Sequence, residues 1–194
     1  MYDGPTMTPL YWVATVLTIA YVWTLPWLAA QGFASTLGPS SRSVSRYIDT
    51  GAATGMMAVV SVVPILLTIQ YNVYARRSVR SSVVRWLLVV TQWTFVVCYA
   101  CFLCCPPSIS PPLHAVFVLT LGASFLVHAA LTVSYVSTSS IGIALILVVV
   151  VATLLIPCSV DGWEFTFWAL ECIGITACVL ITPVEMVVSA QRPN

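Results

Sequence analysis

Long apolar runs separated by short polar stretches dominate the pattern of the chain. A helix that spans the hydrocarbon core of a bilayer needs about 20 mostly apolar residues, and six runs meet that requirement. The pattern predicts an all-α fold, a polytopic transmembrane bundle of six membrane-spanning helices that forms a single domain over residues 1–194. The predicted helices cover residues about 9–30, 54–74, 83–105, 113–135, 139–157 and 163–189.

The connections between these runs are short, with one exception. Residues 31–53 form a polar loop that is long enough to carry structure of its own. Two proline pairs, at 106–107 and 111–112, surround a Ser-Ile-Ser segment. Because proline cannot continue a helix and restricts the residue before it, they predict a stiff, extended hinge between the third and fourth helices. Residues 136–140 predict a tight turn between the fourth and fifth.

The composition agrees with a membrane protein. The chain is 60% hydrophobic and only 7% charged, with a mean hydropathy of +1.00, whereas a soluble domain carries about 25% charged residues. A net charge of +1 excludes a broad basic surface for nucleic acid. All seven basic residues are arginine. Because a retinal Schiff base needs a lysine, a retinal protein is excluded. We predict no nucleic-acid partner and no cofactor.

The distribution of arginine predicts the orientation, because cytoplasmic connections are enriched in basic residues. With six helices, five arginines (76, 77, 80, 85 and 192) share one side with both termini, and two (42 and 46) lie on the other. Both termini should therefore be cytosolic, and the loop 31–53 should be lumenal or extracellular.

A few polar residues interrupt the apolar pattern and are candidates for a functional site. Asp49, Thr50 and Gly51 stand together where the second helix enters the membrane, and Asp49 or Thr50 can cap its first turn. His114 opens the fourth helix, and Glu171 lies about eight residues into the sixth. Intramembrane ionisable groups are functional candidates by default, and by depth these residues converge near one lumenal face. The alternative for Glu171 is a hydrogen bond across helices that only packs the bundle.

Other ionisable residues lie closer to the cytosolic end. Glu185 should reach water there, and His128 should be a hydrogen-bonded histidine of the bundle. A basic group follows the second helix, and it either sets topology alone or also contacts anionic lipid. Its members are Arg76, Arg77, Arg80 and Arg85.

The cysteines of the third helix have a spacing that resembles a metal motif. Cys98, Cys101, Cys104 and Cys105 place several thiols on one helix face. A structural zinc site also needs a second ligand pair in a folded loop, so packing or palmitoylation is favoured and no metal is predicted. A disulfide from Cys104 or Cys105 to Cys158 stays open. The chain has no GxSxG, HExxH or P-loop motif, so no catalytic residue is predicted.

Arg46-Tyr47-Ile48-Asp49-Thr50-Gly51-Ala52, at the end of a loop after the first helix, resembles the motif of the Frag/DRAM/Sfk superfamily of six-helix membrane proteins. Those proteins carry a P-x-I-S-D-T-G-like sequence at this place. The segment 70–77, Gln-Tyr-Asn-Val-Tyr-Ala-Arg-Arg, resembles the family's tyrosine- and arginine-bearing end of the second helix. His114 and Glu171 stand where the family often has histidine and glutamate. The sequence departs from the family in having Arg46-Tyr47 in place of its proline.

The resemblance implies lipid handling or scaffolding in the endomembrane system. Members include autophagy modulators of the lysosome, a Golgi factor of GPI-anchor remodelling and organisers of the plasma membrane. The expected protein is non-catalytic and has membrane lipids as partners. The alternative is a structural accessory subunit of a large membrane complex, such as a respiratory or photosynthetic assembly, with other membrane subunits as partners and the mitochondrial inner membrane as one location. A channel would need a continuous polar lining, which the fifth helix does not supply.

Overall fold

The computed structural model describes residues 9–34, 43–156 and 164–191, with the backbone alone for 164–166. These parts of the chain are helical and form a bundle. The helices are α1 Pro9–Ala30, α2 Val44–Tyr47, α3 Gly51–Ser78, α4 Ser82–Cys104, α5 Pro111–Thr132, α6 Ser140–Leu155 and α7 Glu164–Ala190. A π-helical turn, Val133–Ser137, extends α5.

Among the described residues, five helices are long and apolar enough to cross a membrane: α1, α3, α4, α5 with its π-helical turn, and α7. The prediction of an all-helical membrane bundle is confirmed at that level. The fifth predicted run, residues 139–157, forms α6, which has 16 residues and a length of about 24 Å at 1.5 Å per residue. It is shorter than the roughly 30 Å of a typical hydrocarbon core.

Side-chain hydrogen bonds give the relative directions of α1, α3 and α4. Tyr11 at the start of α1 donates to Gln70 near the end of α3 (2.8 Å), and Tyr21 donates to the Ala53 carbonyl at the start of α3 (2.7 Å). The two helices are therefore antiparallel. α4 is antiparallel to α3 as well, because Asn72 donates to the Leu88 carbonyl (3.1 Å), whereas the later residue Tyr99 of α4 donates to the earlier residue Ser61 of α3 (2.7 Å).

α5 is antiparallel to α4, because its start is bonded to the end of α4 and its end to the start of α4. Thr91 bonds His128 Nδ1 at 3.0 Å, which confirms His128 as a hydrogen-bonded histidine between α4 and α5. α7 runs parallel to α3, since Thr68 bonds Thr182 (3.1 Å) and Tyr71 bonds Ser189 (2.9 Å).

Several helix boundaries differ from the prediction. α3 begins at Gly51 and not at 54, because the Thr50 side chain caps it by accepting from the Ala53 N–H. α3 also continues to Ser78, since arginine is a good helix former that a hydropathy pattern overlooks. α5 begins at Pro111, and proline is well tolerated in a first turn, where its missing N–H has no partner to lose.

The predicted extended hinge between α4 and α5 is wrong. The Pro106 carbonyl accepts from the N–H groups of Ile109 (3.0 Å) and Ser110 (3.4 Å), so the chain makes a compact turn. The predicted turn at 136–140 is partly helical, because the π-helical turn continues to Ser137. Thr138 then takes a left-handed conformation with φ 44°.

The prediction that Glu185 reaches water is also wrong, because its side chain is fully buried. α6 covers it at Gly142, where a Cβ would overlap Glu185 Oε1 and lie 2.8 Å from a Val133 methyl. A glycine therefore lets α6 approach the α7 carboxyl group closely.

We predict that Gly142→Ala destabilises the protein, by about 1–3 kcal/mol, because overpacking a filled interior forces its neighbours to move. Gly55→Ala is the matched control, since nothing lies within 4 Å of a Cβ at that α3 position. Thermal unfolding of the purified variants in detergent gives the melting temperature of each. A Gly142→Ala melting temperature equal to that of Gly55→Ala would show that the close contact does not matter.

Candidate functional site

The residues of the predicted lumenal site lie at the end of the bundle where α3 and α5 begin and α4 ends, which we call the clamp end. These residues are Asp49, Thr50, Gly51, His114 and Glu171. Here Ser43 caps the short α2 by accepting from the Arg46 N–H (3.2 Å). Thr50 caps α3 and also donates to the Phe33 carbonyl at 3.3 Å. The capping role predicted for Asp49 or Thr50 thus belongs to Thr50.

Glu171 of α7 holds α2 against the bundle. Its Oε2 accepts from the backbone N–H of Val44, the first residue of α2, at 2.5 Å. Val44 is itself buried. The first N–H groups of a helix have no partner within the helix, so the carboxylate satisfies a donor that burial would otherwise leave unpaired. This bond agrees with the alternative in which Glu171 serves packing.

Asp49 makes a second tie between separate parts of the chain. Its Oδ1 accepts from the Ser108 hydroxyl at 2.6 Å and its Oδ2 from the Ser108 N–H at 3.2 Å. Ser108 lies in the turn between α4 and α5, so Asp49 joins the start of α3 to that turn. Both carboxylate oxygens are directed at a protein donor.

His114 at the start of α5 bonds the end of α4. Its Nδ1 lies 2.8 Å from the Cys105 carbonyl, and because a carbonyl only accepts, Nδ1 carries the proton. In the neutral ring Nε2 is then an acceptor. Nε2 is buried and has no hydrogen-bond partner among the described residues. The ring also lies 5.0 Å from that of Phe102, measured between centroids.

A small cavity adjoins His114. Its volume is about 10 Å³, which is close to the room that one water molecule requires. Neither Asp49 nor Glu171 lines it. The lining residues are Ser45, Ile48, Thr54, Phe102, Leu103, Pro106, Pro107 and His114.

The structure therefore brings Asp49, His114 and Glu171 to one end of the bundle but gives each a separate partner. No hydrogen bond within the described parts of the chain joins two of the three. A ligand site shared by them stays a prediction. The hydrogen bonds of Glu171 and Asp49 instead connect the segment between α1 and α3 to α7 and to the α4–α5 turn. Gly51 is the first residue of α3, and a Cβ there would meet open space.

Sequence reasoning missed the protein partners of these residues. Ser108 sits between two proline pairs, and nothing in its surroundings marks it as the donor to a carboxylate 59 positions away. Ser43 did carry a signal, because a serine before a short polar run is a typical N-cap. Tyr21 lies within an apolar run, and nothing in that run indicates that it donates to the Ala53 carbonyl of α3.

The basic group lies at the opposite end of α3, which we call the arginine end. Arg77, Arg80 and Arg85 are exposed and Arg76 is half-buried. They lie where α3 ends and α4 begins. Trp86 follows directly and is 69% exposed.

The cysteines offer no metal centre within the described residues, where no group of three or more His, Cys, Asp or Glu side chains is placed to hold an ion. Cys98, Cys101, Cys104 and Cys105 are free thiols there. Cys158 lies outside the described residues, so its predicted pairing stays a prediction.

Comparison with known proteins finds no matching family model, no matching curated protein and no matching solved structure. The resemblance to the Frag/DRAM/Sfk superfamily stays a prediction based on its short motifs.

We predict that Glu171→Ala lowers the free energy of unfolding by about 1–3 kcal/mol, because it leaves the Val44 N–H buried without an acceptor. Glu171→Gln should cost less, since its amide oxygen still accepts. Ile173→Ala, at a partly exposed position of the same helix, controls for side-chain loss. Thermal unfolding in detergent ranks the stability of the three variants. Equal destabilisation by Glu171→Ala and Glu171→Gln would contradict a role for the side-chain oxygen as the acceptor.

Proposed function

We propose that the protein is a non-catalytic, multi-pass protein of the endomembrane system that binds or organises lipid, with six spans and both termini in the cytosol. The proposal has three parts: the number of spans, the orientation and the activity. Each is supported by a different set of contacts.

Two contacts support α6 as a sixth span. Gly142 lies against Glu185, and Gly174 approaches Ala152, with a Cβ at Gly174 placed 3.8 Å from the Ala152 Cβ. Moving ten residues forward along α6 thus corresponds to moving eleven back along α7. The two helices lie antiparallel over this length, so α6 accompanies a helix that is long enough to cross the membrane.

The orientation is supported by the positions of the first and last helices. The start of α1 contacts the end of α3 through Tyr11 and Gln70, and the end of α7 contacts it through Ser189 and Tyr71. Both ends of the described bundle therefore lie at the arginine end. Basic residues favour the cytosolic side, which makes this end the cytosolic one in our proposal.

The observation that carries the proposed activity is the contrast between the interior and the outer surface. The ties at the clamp end leave a cavity of about 10 Å³, far below the roughly 300–1,000 Å³ of small-molecule sites. Large apolar side chains such as Val59, Val83 and Leu119 are exposed instead. Spanning helices that bond their polar groups inward and expose apolar side chains interact with lipid through their outer surface.

One observation favours the second candidate, an accessory subunit of a membrane complex. Trp93 lies near the middle of α4 and is 56% exposed. Tryptophan is enriched at the two membrane interfaces, so an exposed tryptophan at mid-depth is a suitable anchor for another membrane protein.

We expect tags at the two termini to lie on the same, cytosolic side of intact vesicles. Six spans place both termini on the same side of the membrane, whereas five would place them on opposite sides. Antibody access before and after selective permeabilisation measures this. A third tag after Ser108 should be protected until the vesicles are opened. Termini on opposite sides would exclude six spans.

We also expect the full-length protein, purified in mild detergent, to retain lipid and to lack a stoichiometric protein partner. Lipid analysis and proteomics of one eluate measure both. If the accessory-subunit candidate is correct, a partner will copurify and Trp93→Ala will release it. Leu119→Ala, at an exposed position of α5, is the control and should release nothing. A stoichiometric partner with no retained lipid would contradict our proposal.

A further inference from the structure

The four arginines of the arginine end occupy only ten positions, 76–85, around the short connection from α3 to α4. Since both flanking helices are long enough to span a membrane, this connection lies at a membrane surface. Its basic side chains are therefore close to the headgroups of one leaflet.

No exposed acidic side chain is described beside Arg80 or Arg85. Asp49 and Glu171 are at the clamp end, where they accept hydrogen bonds from Ser108 and Val44. Glu185 is fully buried against α6. Arg80 and Arg85 thus present positive charge outward with no exposed described carboxylate beside them.

One further feature of this connection points to the headgroup layer. Trp86 is exposed immediately after Arg85. An amphipathic aromatic ring beside a basic group is typical of the interface, where the ring lies at headgroup depth.

We propose that the α3–α4 connection binds the headgroup phosphates of anionic phospholipids. Guanidinium groups donate in a planar fork that matches phosphate oxygens, and a cluster of basic residues next to a spanning helix attracts anionic lipid. This inference rests on the proposed function and names its lipid class. It assigns the arginines a ligand in addition to their part in topology.

Native mass spectrometry of the full-length protein in mild detergent tests it, with phosphatidylglycerol, phosphatidylcholine and water-soluble glycerophosphoglycerol titrated separately. The wild type should bind phosphatidylglycerol more tightly than phosphatidylcholine. Arg80→Gln/Arg85→Gln should weaken phosphatidylglycerol binding by about thirty-fold, since each basic residue near a membrane surface contributes a factor of about five. Glycerophosphoglycerol should not displace the lipid, because it lacks the acyl chains that hold a headgroup at the interface.

Two variants control for folding and for net charge. Arg80→Lys/Arg85→Lys keeps the charge and should retain most of the binding. Arg46→Gln removes an exposed arginine from the clamp end and should leave phosphatidylglycerol binding unchanged.

Three results would overturn the inference: wild-type binding by Arg80→Gln/Arg85→Gln, an equal loss in Arg46→Gln, or displacement by glycerophosphoglycerol, which would indicate a site for free phosphate esters. Retention of both lipids without dependence on the arginines would refute this inference and leave the proposed lipid function intact. Loss of all lipid together with a stoichiometric protein partner would refute the proposed function itself.

Discussion

A polar group that is buried, whether in protein or in lipid, has no water to bond, so the chain must supply its partner. The bond from the Val44 N–H to Glu171 shows how this requirement shapes the fold. α2 has four residues, and a helix that short cannot satisfy its own first donors. A carboxylate from α7 supplies an acceptor, and by doing so it fixes the connection between α1 and α3 against a helix that is more than 100 residues away in the chain.

The same requirement accounts for the other long-range contacts. Tyr21, Asn72 and Tyr99 lie on three different helices, and each donates to a group on a neighbouring helix: a carbonyl for the first two and the Ser61 hydroxyl for the third. Lipid gives apolar helices little reason to associate, since it solvates them as well as another helix does. Directional bonds at a few positions therefore select which faces meet, and the apolar side chains between them fill the remaining space.

This division explains what could be predicted from sequence. Six apolar runs and their approximate bounds follow from hydropathy, because burying an apolar run in lipid depends on local composition alone. The predicted start of α3 lies three residues after the observed one, because the Thr50 side chain that caps the helix does not affect the hydropathy pattern. The partners of Asp49, His114 and Glu171 depend on tertiary packing, so depth alone placed them together without showing that each bonds a different group. The sequence shows that Glu185 lies near a helix end, which favours contact with water, but it does not show that α6 approaches the carboxyl group at Gly142.

The two ends of the bundle follow opposite rules, and the difference bears on function. At the clamp end the carboxylates are bonded inward to Ser108 and Val44, so their polarity contributes to the connection of chain segments. At the arginine end Arg80 and Arg85 are exposed, so their charge is available to whatever lies outside. A guanidinium at a membrane surface is surrounded by water on one side and lipid phosphate on the other, and only the phosphate can offer it a fixed counter-charge. In our proposal this contrast assigns contact with lipid headgroups to the short connection between α3 and α4, and the joining of chain segments to the clamp end.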